Sequence, residues 1–241
     1  MVPSTTTATR AVLLPGSGSD EVFLDRVFTA ALSTVGVRAV PVRPDPTQVV
    51  TSGRRALDEA LDQDGPLLVG GVSLGAAVAA QWALEHPERV SGLLLALPAW
   101  WGEPGDAPAA ALASYSAGRL RGCGLTAVLA EVAERSPPWL AAELRRAWTR
   151  QWPHLPAALD EAAAHVAPTV EALAALGVQV GVAAAVDDPV HPGGVADELA
   201  AASPLVRVEW VTLAQLGADP GSLGRGVVRA WVSAGGTTGA Q

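Results

Sequence analysis

Short apolar runs alternate along this chain with longer stretches of helical periodicity, and the alternation predicts most of its elements. Ala11-Val-Leu-Leu14 reads as a buried strand closed by Pro15-Gly-Ser-Gly-Ser-Asp20, a loop that delivers a capping serine and two acids, Asp20 and Glu21, to a helix start. Leu24, Val27, Phe28, Ala31 and Leu32 then share one helical face. Val37–Val42 is the next strand and residues 48–63 the next helix. Leu67–Val69 is a strand followed by a helix from Ala76 to His86, and Val90–Leu97 is a strand closed by Pro98-Ala-Trp-Trp101. The rhythm resumes with a strand at 178–186, a helix at 192–202, a strand at 205–213 and a last helix at about 220–233. The small, polar ends, 1–10 and 234–241, are expected to fray.

Strand alternating with helix is the mark of a parallel sheet covered on both faces. Residues 102–177 break the pattern: they are alanine-rich, interrupted by prolines and helical at about 107–117, 124–135, 138–151, 156–166 and 169–176. A strandless block between two strands predicts a helical insertion over one end of the sheet. The fold class expected is therefore α/β, a mostly parallel sheet of about six strands flanked by helices, as one domain over 1–241 with a helical cap at about 102–177.

Composition narrows the function. The chain has 241 residues, net charge −8 and 49% hydrophobic residues, so it lacks the basic surface a nucleic-acid partner requires. All 16 basic residues are arginine; without lysine, Schiff-base chemistry and a P-loop lysine are excluded. Cys123 is the only cysteine, which fits a reducing cytoplasm, and the N-terminal stretch lacks the charged-then-apolar order of a secretory signal. No apolar run reaches the ~20 residues of a membrane span. The sequence neither specifies nor rules out a homodimer, and its four histidines show no ligand spacing, so no metal or other cofactor is implied.

The stretch that carries chemistry is Pro66-Leu-Leu-Val-Gly-Gly-Val-Ser-Leu-Gly75, a strand running into G-x-S-x-G and then a helix. Glycines on either side of a serine allow a turn sharp enough to raise the hydroxyl above the sheet, and the N–H of Leu74 at the helix start can face a developing oxyanion. Read alone, Ser73 could be an incidental serine in a strand–helix turn, and Asp188 a cap for the helix at 192–202.

The order of these features resembles the α/β-hydrolase superfamily over about 11–233: a glycine-containing loop after the first strand, the Gly71-Val-Ser-Leu-Gly75 elbow, Pro87-Glu-Arg-Val-Ser-Gly-Leu-Leu-Leu95 as the strand beyond the elbow helix, and Asp187-Asp-Pro-Val-His-Pro192 after the penultimate strand. The hairpin that often opens the superfamily's sheet is missing, leaving six strands. The resemblance implies a small bacterial serine hydrolase. Ser73 matches the nucleophile, the N–H of Ser17 or Gly16 joins Leu74 as oxyanion donor, and Asp188, in an Asp-x-x-x-Pro loop, matches the acid, with Asp187 its neighbouring candidate. The base should follow the last strand, but Leu213-Ala-Gln-Leu-Gly-Ala-Asp-Pro220 contains no histidine. His191, in the acid's own loop, is the candidate that replaces it, and His154 in the insertion is the other.

The remaining residues have milder readings. His86 complements a helix end, His165 belongs to the solvated surface, and Cys123 is a packed residue. Trp100, with Trp101, Trp139, Trp148 and Trp152, is either core packing or an apolar wall for an acyl or aromatic substrate. The leading expectation is hydrolysis of an ester or thioester of a small apolar acyl group. The alternative is a relative altered in chemistry, which binds a small molecule or acts as a lyase or cyclase; a scaffold protein is a third.

Overall fold

The computed structural model describes residues 10–61 and 66–237; the expected fraying at 1–9 and 238–241, and the predicted helix beyond Leu61, fall outside the described residues. Six strands form one parallel sheet in the order β2-β1-β3-β4-β5-β6. They are β1 (Arg10–Leu14), β2 (Arg38–Pro41), β3 (Leu67–Val72), β4 (Val90–Ala96), β5 (Val180–Ala185) and β6 (Val206–Val211). β1, β3 and β5 are buried at every position and β4 at all but one, so they read as continuous apolar runs. The edge strands β2 and β6 carry their exposed positions, Arg38 in β2 and Arg207 and Trp210 in β6. Arg10, expected at a frayed end, is buried in β1 and donates to the carbonyl of Ala60 at 2.6 Å.

One face of the sheet is covered by α3 (Val49–Leu61), α4 (Leu74–Glu85), α8 (Val170–Ala175) and α9 (Gly194–Ala202). The other carries α1 (Glu21–Leu24), which runs through a π-turn (Asp25–Thr29) into α2 (Ala30–Ser33), together with α10 (Leu213–Ala218) and α11 (Gly221–Ser233). Each fully buried leucine of the central strands contributes roughly 1.5–3 kcal/mol. α10 occupies the segment expected to be a loop. Its start was written in the sequence: Thr212 accepts from the N–H of Gln215 at 3.1 Å while the Gln215 side chain accepts from the Thr212 N–H at 2.9 Å, a capping box.

Between β4 and β5 the chain is helical, as expected: α5 (Pro108–Arg135), α6 (Pro138–Gln151), α7 (Leu155–Ala163) and then α8. The first two predicted helices are one, interrupted at Gly124 with φ 76° and ψ 166°. α5, α6 and α7 share an apolar cluster that includes Ala117, Leu120, Trp148, Leu155 and Leu159. α7 is also fastened to the sheet domain, because the carboxylate of Glu161 accepts from the N–H groups of Val49 and Val50 and so caps α3. None of the described helices is long and apolar enough to cross a membrane.

Strand order decides where a site can form. From β1 the chain crosses outward to β2, then returns to place β3 on the opposite side of β1. The loops leaving β1 and β3 therefore diverge over the carboxyl ends of the sheet and open a crevice at the reversal. Ser73 immediately follows β3, and Pro15–Ser19 follows β1.

Candidate active site

Ser73 has φ 53° and ψ −116°, a conformation that costs a non-glycine residue energy and persists only where its surroundings impose it. Those surroundings are backbone. The Ser73 N–H donates to the carbonyl of Ala96 in β4 at 2.9 Å, and its own carbonyl starts α4 by accepting from Ala76 and Ala77. A Cβ on Gly71 would lie 2.3 Å from the Leu14 carbonyl oxygen, and one on Gly75 2.2 Å from the same atom. Both glycines are therefore demanded by the closeness of β1. Leu74 is the first residue of α4, so its N–H has no partner one turn back within the helix.

The loop after β5 is organised by Asp188. Its Oδ1 accepts from the N–H of Val190 at 2.8 Å and of His191 at 3.3 Å, folding the chain back so that the imidazole returns over the carboxylate. Oδ2 then lies 2.8 Å from His191 Nδ1, and His191 Nε2 lies 3.0 Å from Ser73 Oγ. An ionised carboxylate can only accept, so Nδ1 carries the proton and Nε2 is free to accept from the serine hydroxyl. Ser73 and His191 are half-buried, while the Asp188 side chain is only 7% exposed. Burial alone would raise the Asp188 carboxyl; the hydrogen bond and charge of His191 and the two backbone N–H groups outweigh it and hold it below its ordinary value. The stability this carboxylate supplies is present above its unfolded value and drains as pH falls through the lower folded one. Asp188→Asn should therefore lower the melting temperature at neutral pH yet flatten its fall on acidification below about pH 4, a comparison calorimetry can make.

Asp187 has a different environment. It is exposed, and its Oδ1 accepts from the N–H of Leu213 at 2.8 Å, which joins the loop after β5 to the start of α10. The geometry thus singles out Asp188 from the two neighbouring acids. No histidine follows β6, and the position is covered: Trp139 of α6 packs so closely on Gly217 of α10 that a Cβ there would lie 2.3 Å from the indole.

On the β1 side, Ser19 donates to Gly16 at 3.0 Å, closing a turn over Gly16-Ser-Gly-Ser19. A Cβ on Gly16 would come within 3.5 Å of Ser73 Cβ, so this backbone stands directly beside the serine. Behind it a cavity of about 20 Å³, lined by Gly16, Gly18, Leu74, Gly75 and Gln151 among others, has room for about one water.

The other candidates lie apart from this cluster. His154 is exposed at the start of α7, and His86 stacks on Trp82 with ring centroids 4.4 Å apart. His165 is half-buried rather than solvated, because it lies in the α7–α8 connection where Trp100 Nε1 donates to its carbonyl at 3.2 Å. That contact makes Trp100 a strut beneath the insertion. Trp101 plays a similar part, donating to Val195 at 2.8 Å, while Trp148 fills the insertion's core and Trp152 is exposed. Cys123, expected to be packed, is exposed, since it sits just before the break at Gly124. Among the described residues no cluster of histidine, cysteine and acidic side chains could hold a metal ion.

Solved structures share this fold at low sequence identity. NosK of Streptomyces actuosus superposes with a TM-score of 0.63 at 22% identity over 95% of this chain and all of its own, 100%. BpoC of Mycobacterium tuberculosis, described as a non-heme bromoperoxidase, gives 0.69 at 20% over 95% and 94%. A thermophilic esterase of Thermogutta terrifontis, solved with malate bound, gives 0.65 at 19% over 97% and 92%. The chain has the α/β-hydrolase fold. No protein-family model matches the sequence, and no curated protein matches it. The sheet here is parallel throughout, and Ser73 stands at the turn between β3 and α4. What sequence reasoning did not find is a set of charged contacts between α6 and the loop after β1, centred on Asp20 and Arg146.

Proposed function

We propose that this protein is a serine-dependent hydrolase of an ester or thioester carrying a small apolar acyl group. The observation that carries the reading is the continuous relay Asp188–His191–Ser73, with contacts of 2.8 and 3.0 Å. A serine hydroxyl is a weak nucleophile until a base takes its proton, and here the base is oriented by a buried carboxylate. One structural neighbour, the thermophilic esterase, is in keeping with this chemistry.

In acylation, Ser73 Oγ attacks the carbonyl carbon and its proton passes to His191 Nε2. Asp188 holds the Nδ1 proton and stabilises the imidazolium. The carbonyl electrons become an oxyanion facing the N–H groups of Leu74 and of Gly16 or Ser17. On collapse the imidazolium returns its proton to the departing alcohol or thiol, leaving an acyl-serine. Water then repeats the sequence and releases the acid. The helices α5–α7 are read as a cap over the crevice within a single domain, with α8 packed on the face of the sheet. The alternative of lost hydrolysis rests on the missing histidine after β6, and the 3.0 Å contact between His191 and Ser73 supports hydrolysis over it. A lone cysteine points to a reducing cytoplasm.

The test is turnover of p-nitrophenyl esters from acetate to octanoate, with a pre-steady-state burst as the sign of an acyl-enzyme. Failure to hydrolyse any ester or thioester in the series would overturn the reading. Because Ser17 would contribute through its backbone, Ser17→Ala should keep turnover within about 3-fold of wild type, whereas a hydroxyl donor would cost about 10²-fold or more.

A further inference from the structure

The loop after β1 is short: five residues, Pro15 to Ser19, separate the last residue of β1 from Asp20. Asp20 is held from two directions. Its Oδ1 accepts from the N–H groups of Val22 and Phe23 at 3.1 and 3.2 Å, capping α1. Arg146 of α6 grips the same carboxylate with two N–H groups along one edge of its guanidinium, Nη2 to Oδ1 at 2.7 Å and Nε to Oδ2 at 3.1 Å. Arg150, one turn further along α6, reaches Oδ2 at 3.3 Å and also pairs with Glu21. Gln151 donates to the Ser19 carbonyl at 2.8 Å, and Trp148 lies so close to Gly18 that a Cβ there would meet its indole nitrogen at 2.6 Å. The Asp20 side chain is only 3% exposed and Arg146 30%, so the carboxylate half of the pair is shielded from the solvent that makes surface ion pairs weak.

We propose that the Asp20–Arg146 pair is a positioning device, through which α6 of the insertion fixes the backbone donors of the Gly16–Ser19 turn against Ser73. The inference rests on the hydrolase reading above. Backbone donors stabilise a developing oxyanion only when held within about half an ångström of their productive place, and a short loop with glycine at 16 and 18 has little stiffness of its own. α6 supplies that stiffness at four points: two charged contacts on Asp20, one hydrogen bond on Ser19 and one ring on Gly18. Any movement of the insertion therefore moves the donors.

Asp20→Asn separates the roles of the residue, because asparagine caps a helix as well as aspartate but cannot pair ionically with arginine. Arg146→Gln removes the charge from the other side, and Arg146→Lys restores the charge without the two-pronged geometry. Two readouts are taken on the full-length protein: the rate at which a fluorophosphonate labels Ser73, and amide hydrogen exchange across residues 16–19. Asp20→Asn and Arg146→Gln should each slow labelling about 10- to 100-fold, less than the loss of a whole oxyanion donor. The KM for p-nitrophenyl esters should stay within about 3-fold, exchange at 16–19 should accelerate while β1 stays protected, and the double variant should be no slower than either single one. Arg146→Lys should fall between Arg146→Gln and wild type. Variants that label and exchange like the wild type would overturn the device alone, as would rate losses that merely follow melting temperature. A wild type that is never labelled would overturn the hydrolase reading, and the role of the loop with it.

Discussion

Replacing His191 with alanine is expected to lower ester turnover by about 10⁴- to 10⁶-fold, leaving only the contribution of binding and the oxyanion donors. The size follows from the geometry. His191 Nε2 stands 3.0 Å from Ser73 Oγ, and of the other histidines His154 is exposed, His86 is stacked on Trp82 and His165 lies in the α7–α8 connection. Ser73→Ala should match this loss and the double variant should add nothing, because the two residues act as one unit. Asp188→Asn should cost about 10⁴-fold, since an amide can donate to Nδ1 and so stabilise the wrong tautomer. His154→Ala should leave turnover unchanged. Stopped-flow and steady-state kinetics on one p-nitrophenyl ester check all five variants. If His154→Ala rather than His191→Ala removed turnover, the base would have to come from the insertion.

Gly75→Ala is expected to destabilise the protein by about 3–5 kcal/mol, or roughly 6–20 °C in melting temperature for a chain of this size. The added Cβ would stand 2.2 Å from the Leu14 carbonyl oxygen and 2.5 Å from its carbon, both backbone atoms of a central strand that cannot swing aside. Either β1 separates from α4 or the elbow unwinds, and in both cases Ser73 leaves its position. Gly118→Ala is the contrasting case. Gly118 lies inside α5 with nothing within 4 Å of its would-be Cβ, so alanine should stabilise the helix by about 0.5–1 kcal/mol. Thermal unfolding of the two variants side by side separates a packing demand from a mere absence of side chain.

Much of the sheet was legible because buried parallel strands leave continuous apolar runs, and Leu67–Val72, Val90–Ala96 and Val180–Ala185 do so plainly. The serine was legible because its strained turn demands glycine at 71 and 75. His191 was legible only as a candidate. That it reaches Ser73, 118 residues earlier, depends on the carboxyl ends of β3 and β5 lying on opposite sides of β4 and on the turn that Asp188 folds with its own loop. α10 went unread although Thr212 and Gln215 carry its capping box, because the segment was expected to be the loop bearing the base. The Asp20–Arg146 contact joins residues 126 positions apart through an insertion whose docking no periodicity encodes. Local pattern reports local structure; contacts between a loop and a distant helix are set by the packing of whole elements.

Intact-mass analysis after incubation with a fluorophosphonate, comparing wild type, Ser73→Ala and His191→Ala, tests the role of His191 most directly. Wild type should carry one adduct per chain and Ser73→Ala none, and labelling of His191→Ala should be slowed by at least about 10³-fold. Labelling of His191→Ala at the wild-type rate would contradict the claim that the acid's own loop supplies the base.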